Sequence, residues 1–137
     1  MATSSITCQL VAEGQRVNHT AALFGINFPL YLEPFVFFMA DTICEDYNGG
    51  LWHFYALSNG GFYMSPHTDA NFKVSCENGF QGTLSADAFG IVCCLYAYSH
   101  LSFGGGDFAQ TCAEHYHLLR EYVFGHLEEG RIWRAID

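Results

Sequence analysis

Aromatic and aliphatic residues crowd the stretch Gly49 to Pro66, GGLWHFYALSNGGFYMSP, in two runs parted by Asn59-Gly60. Both runs suit a pleated surface, and Asn-Gly between them is the strongest short signal for a β-hairpin. With Asn59-Gly60 as a two-residue loop, Leu57 pairs with Phe62, Ala56 with Tyr63 and Tyr55 with Met64. One face then carries His53, Tyr55, Leu57, Phe62 and Met64, and the other Trp52, Phe54, Ala56, Tyr63 and Ser65. Both faces are largely apolar, so this hairpin is predicted to be covered on both sides and to centre the fold.

The flanking pattern supplies the other elements. Residues 1–22 are polar and weakly periodic, and a poorly ordered N-terminal segment is expected there. A domain over residues 23–137 follows. Phe24–Phe28 suits one helical turn before Pro29, and Leu30–Glu33 is expected to be extended because it precedes Pro34. Pro34 suits the first position of a helix running from Phe35 to Cys44. After the hairpin, Asn71–Cys76 alternates, with Phe72, Val74 and Cys76 on one face. A three-residue Glu77-Asn78-Gly79 loop then pairs Cys76 with Phe80 and Phe72 with Leu84. The reading is four consecutive antiparallel strands, a meander.

Ser85 is an N-cap with Asp87 in the first turn, opening an apolar helix from Ala86 to about Phe103. Gly90, Ser99, His100 and Ser102 interrupt it and no basic residues flank it, so a buried central helix is expected rather than a membrane span. Gly104-Gly105-Gly106 breaks it. Asp107 caps an amphipathic helix to about Leu127, and EEGRIWRAID adds a last helical turn. The predicted fold is a single α+β domain: a four-stranded meander packed with three to four helices, one of them before the sheet.

Charge narrows the function. Five Lys and Arg stand against 14 Asp and Glu, a formal net charge of −9. Five cations cannot supply the broad basic face that nucleic-acid binding needs, and the same scarcity disfavours anionic membrane surfaces. An acidic chain can imitate DNA, but a ten-pair mimic needs about twenty aligned anions. The 14 carboxylates here are scattered along the chain. The N-terminus MATSSITCQL lacks the pattern of a secretory signal, so the six cysteines are expected to be reduced, in a cytoplasmic protein.

Candidate chemistry is sparse. Cys112, Glu114, His115 and His117 offer four metal-ligand types, and a metal-binding module or small metalloenzyme centred on them is the alternative reading. On a helix, though, Cys112 and His115 share one face while Glu114 and His117 share another. No HExxH, paired CxxC or GxSxG occurs. Ser58 and His53 lie in the same hairpin without a motif to join them. Gly104-Gly105-Gly106 follows a helix and precedes no Lys-Ser/Thr, so it is a helix stop rather than a phosphate loop. No enzyme is indicated. Trp133, beside Arg131, Arg134 and Asp137, has the composition of an interface anchor, and a tail Trp packed back on its own domain is the equal alternative.

Three stretches carry a resemblance: GGLWHFYALSNGGFYMSP, NGFQGTLSADAFGIVCCLYAYSHLSF, and AEHYHLLREYVFGH with the terminal RAID. Together they resemble the ArdB/KlcA antirestriction family, over roughly Phe24 to Asp137. The resemblance implies a cytoplasmic protein encoded on mobile DNA that inhibits type I restriction–modification enzymes. It implies a small α+β domain rather than a DNA mimic, acting by protein interaction without catalysis and without a cofactor. The partner expected is the restriction complex or a host factor acting on it, with no direct nucleic-acid or membrane binding. Expected exposure makes Glu128, Glu129, Trp133 and Asp137 the candidate partner contacts. Nothing in the sequence sets the oligomeric state.

Overall fold

Strand β3, Phe62–Pro66, is buried at every residue, and the molecule is assembled around it. The computed structural model describes residues 6–137. In chain order the elements are β1 (Cys8–Leu10), α1 (Arg16–Phe24), α2 (Glu33–Ile43), β2 (Trp52–Leu57), β3, β4 (Asn71–Ser75), β5 (Gln81–Ser85), α3 (Ala86–Leu101), α4 (Gly106–Val123) and α5 (Glu129–Ile136). The α+β class is as expected, but the meander is not. The strands form two sheets, β1-β2-β3 and β4-β5.

The split has a physical cause at the outer edge of β3. Instead of β4, helix α3 covers that edge. The Tyr98 hydroxyl donates to the Phe62 carbonyl at 2.7 Å, and the Cys94 thiol lies 3.5 Å from Met64 N and 3.7 Å from Met64 O. Gly90 permits the approach: a Cβ there would stand 2.3 Å from the Met64 carbonyl oxygen. With its edge groups bonded to a helix, β3 offers no ladder to a further strand.

At the other edge β2 pairs with β1, Cys8 opposite Leu57. Residues 1–5 of the segment expected to be poorly ordered lie outside the described residues. From Thr7 the chain is bonded into the fold, with Thr7 N–H donating to Ser58 Oγ at 2.8 Å and Val11 N–H to Phe54 O at 2.8 Å. Helix α1 follows, so two helices precede the central hairpin where one was expected.

The hairpin register is shifted by one from expectation: Ala56 faces Phe62, Tyr55 faces Tyr63 and Phe54 faces Met64. The loop has three residues, with Gly60 at φ +93° and Asn59 outside the left-handed region that a type I′ turn requires. The Asn59 side chain explains this, accepting from Gly61 N–H at 2.9 Å and donating to Leu118 O at 2.9 Å. Trp52 and Phe54 therefore share their face with Phe62 and Met64, while Tyr55 stacks on Tyr63 at 5.0 Å. The second hairpin has the expected three-residue loop and Phe72–Leu84 register.

Leu30–Glu33 is not extended. Phe28–Leu32 makes a π-helical turn, closed by Glu33 N–H on Phe28 O, that runs straight into α2. Pro34 cannot donate to Leu30 O and its ring crowds that carbonyl, so a wider turn carries the chain past it. Helix α3 begins as predicted, with Ser85 Oγ accepting from Ala88 N–H at 3.2 Å, and is buried along nearly its whole length. Helix α4 stops at Val123, short of Leu127, and Gly125 at φ +90° turns the chain into α5, which has eight residues rather than one turn. Among the described residues no single helix is long and apolar enough to cross a membrane.

Candidate functional site

The α4–α5 corner holds all four candidate contact residues. Helix α5 is amphipathic: Ile132 and Ala135 are buried in the core, Trp133 and Ile136 pack partly against it, and Arg131 and Arg134 face solvent. Tyr96 OH bonds Ala135 O at 2.5 Å and Asn78 Nδ2 bonds Arg134 O at 2.9 Å, fixing the helix end. The Glu129 carboxylate accepts from Gly125 N–H at 2.9 Å and from Trp133 Nε1 at 3.1 Å. Those two donors hold its pKa below the ordinary value.

Trp133 is half-buried and carries a stack. The Phe124 ring lies 5.1 Å from it, and the Arg120 guanidinium sits 5.1 Å from Trp133 and 5.6 Å from Tyr116. Phe124 is 62% exposed and Leu127 fully so. A partly buried tryptophan–arginine stack with exposed Phe124 and Leu127 beside it has the composition of an interface hot spot. Asp137 is exposed one turn beyond, its N–H on Trp133 O.

Glu128 turns the other way. Its carboxylate accepts from Ser85 N–H at 3.0 Å and from the Ser85 hydroxyl. Beside it His126 Nδ1 accepts from Glu128 N–H at 2.9 Å, which leaves the imidazole proton on Nε2, 2.8 Å from Asp87. Tyr63 OH donates to the other Asp87 oxygen at 2.6 Å, and the Cys8 thiol lies 3.5 Å from that hydroxyl. Burial, reinforced by the Asp87 charge, raises the Tyr63 phenol far above its usual range, and burial raises the Cys8 thiol. This chain of polar groups staples the corner to the first turn of α3 and to the central hairpin.

The metal reading is not supported. Cys112 and His115 face the core while Glu114 and His117 face solvent. Among the described residues no three His, Cys, Asp or Glu side chains gather as a metal would need. Burial lifts the Cys112 thiol to about 12 and lowers His115 to about 4. The His115 ring packs 4.7 Å from Phe24 and 5.6 Å from Tyr98, a neutral core residue whose Nδ1 has no partner among the described residues. Ser58 Oγ accepts from Thr7 N–H and does not meet His53, whose ring lies 4.0 Å from His67 instead.

One feature escaped the sequence. Between α1 and the π-helical turn lies an open, mostly apolar groove of about 500 Å³, lined by Arg16, Val17, Ile26, Pro29, Glu33 and Phe54. The Arg16 guanidinium stacks 4.7 Å over Phe54, and burial raises the Glu33 carboxyl. Arg16 lies in the segment expected to be loose, so no pattern flagged it.

Comparison with known proteins places the chain. Residues 45–137 match the family model described as antirestriction protein. The chain is 42% identical over 135 residues to an antirestriction protein KlcA from Escherichia coli, covering 96% of this chain and 95% of that protein. It is 43% identical to the uncharacterized protein YafX of E. coli strain K12, covering 96% and 88%. A solved structure matches with a TM-score of 0.92 and 41% identity, over 100% of this chain and 99% of the other. It belongs to work on the KlcA and ArdB proteins, which are said there to show a novel fold and antirestriction activity against type I DNA restriction systems in vivo but not in vitro.

Proposed function

The chain belongs to the antirestriction protein family, and from that membership we propose that it lets incoming mobile DNA escape type I restriction–modification enzymes by protein contact, without turnover. The observation that carries this reading is the match in sequence and fold, along nearly the whole chain, to proteins described as having antirestriction activity against type I systems in vivo. The charge arrangement supports contact over DNA mimicry. Three of the five Lys and Arg, namely Arg120, Arg131 and Arg134, lie on the α4–α5 corner, so it is not a run of phosphate-like anions. In this reading Trp133, Glu129 and Asp137 contact the partner in the cytoplasm, and Glu128 acts by holding the corner that presents them. Activity seen for the relatives in vivo but not in vitro favours a host factor as part of the target over the purified enzyme alone.

The test is to plate unmodified phage on a strain with a type I system, with and without this chain expressed. Raised plating efficiency is expected. Unchanged restriction beside abundant soluble chain would overturn the reading.

A further inference from the structure

Rings from three helices meet on a face about 18 Å along α4 from Arg120, given the helical rise. Phe35 of α2 lies 5.7 Å from Phe38 and 5.4 Å from His100 at the end of α3. Tyr31 of the π-helical turn lies 6.2 Å from Phe108 at the start of α4. Large apolar side chains stand in solvent here: Phe38 at 59%, Leu30 at 56%, Tyr31 at 54% and, just past His100, Phe103 at 87%. An exposed patch of this kind marks an interaction surface.

The charges around it say what fits. Asp41 lies one turn from Phe38 on α2, and Asp107 adjoins Phe108 on α4, both exposed. Glu33 opens α2, with Arg16 turned onto Phe54 in the neighbouring groove. Between Arg16 and Arg120 the only Lys or Arg is Lys73. It sits next to Phe72, which stacks on Phe89, about 16 Å along α3 from His100. A second copy would set carboxylates against carboxylates on a chain already at −9. We propose that this face docks a protein segment whose aromatic or aliphatic ridge is flanked by Lys or Arg. The inference goes beyond the antirestriction reading and holds whether or not that segment belongs to a restriction subunit.

The experiment places a photo-crosslinking amino acid at exposed Phe38 of the full chain, in cells carrying a type I system, and identifies the cross-linked peptide. One discrete adduct is expected, to a peptide with Lys or Arg beside apolar residues. Its yield should fall about tenfold when Asp41→Lys and Asp107→Lys reverse the rim. Adducts only between copies of the chain, no adduct, or an adduct indifferent to the reversed charges would overturn the proposal. Circular dichroism checks that each variant folds, and phage plating in the same cells reads the antirestriction activity separately.

Discussion

At Leu57–Gly61 and at Cys76–Phe80 the chain makes the same turn twice. In each, an Asn side chain accepts the N–H two residues on at 2.9 Å, and the following Gly adopts φ of +93° or +94°. In each, the Asn amide also reaches a helix carbonyl, Leu118 O of α4 or Arg134 O of α5. The strands that follow differ. β3 is buried throughout, whereas Asn71, Lys73, Ser75, Gln81 and Thr83 of the second hairpin stand in solvent. The turn is thus the same in both, its Asn held by a local N–H and by a distant helix carbonyl, and burial is decided by which strand lies against α3. The first hairpin is stapled to that helix along its edge, and the second rests on it by one face, Phe72 stacking on Phe89 at 4.4 Å.

The sharpest way to break this contrast is Gly90→Ala. The added Cβ would meet backbone, so stability should fall by about 3 kcal/mol or more, read as a drop in Tm by circular dichroism. Gly82→Ala in β5 is the counterpart. Its Cβ meets only the tip of the Phe80 ring at 2.8 Å, which can swing aside, and the expected cost is below about 1 kcal/mol.

Acid should act on the core beneath the first hairpin through His115. Its folded pKa of about 4 lies below the 6.5 of the unfolded chain. Above pH 6.5 both states are neutral; as pH falls from there toward 4, only the unfolded state gains a proton. The loss of stability should reach about 3 kcal/mol near pH 4. His115→Phe should flatten that part of a denaturant-midpoint profile.

Smaller effects follow. Tyr98→Phe leaves the buried Phe62 carbonyl without a donor and should cost about 1–3 kcal/mol in urea unfolding. Asn59→Ala, at a partly buried turn, should cost about 1 kcal/mol, and Asn78→Ala, at an exposed one, about half that. Equal losses at the two asparagines would remove the distinction between the hairpins.

The elements set by local chemistry were legible: Ser85 as a cap, Gly79 in its loop, the alternation of Phe72, Val74 and Cys76, and the buried α3. What escaped depended on distant partners. Asn59 takes its conformation from Leu118, and one residue of register changes with it. The expected meander does not form because Tyr98, Cys94 and Gly90, within the buried helix, bond and fit the edge of β3. The pattern near Arg16 was too weak to show that β1 and α1 complete the sheet and the groove. At the α4–α5 corner, Trp133 was legible by type, but its stack with Arg120 and Phe124 joins residues from two helices. Glu128 and Glu129 looked equivalent in sequence, and only the turn at Gly125 points one inward to Ser85 and the other outward to Trp133.

In the function proposed above, the hairpin is scaffold and the helical corner makes the contact. Plating unmodified phage on a type I restricting strain that expresses Trp133→Ala tests it most directly, with Tm measured on the same variant. At least about tenfold loss of protection is expected, as for truncation of an interface anchor, with Tm lowered by only a few degrees. Full protection by folded Trp133→Ala chain would contradict it.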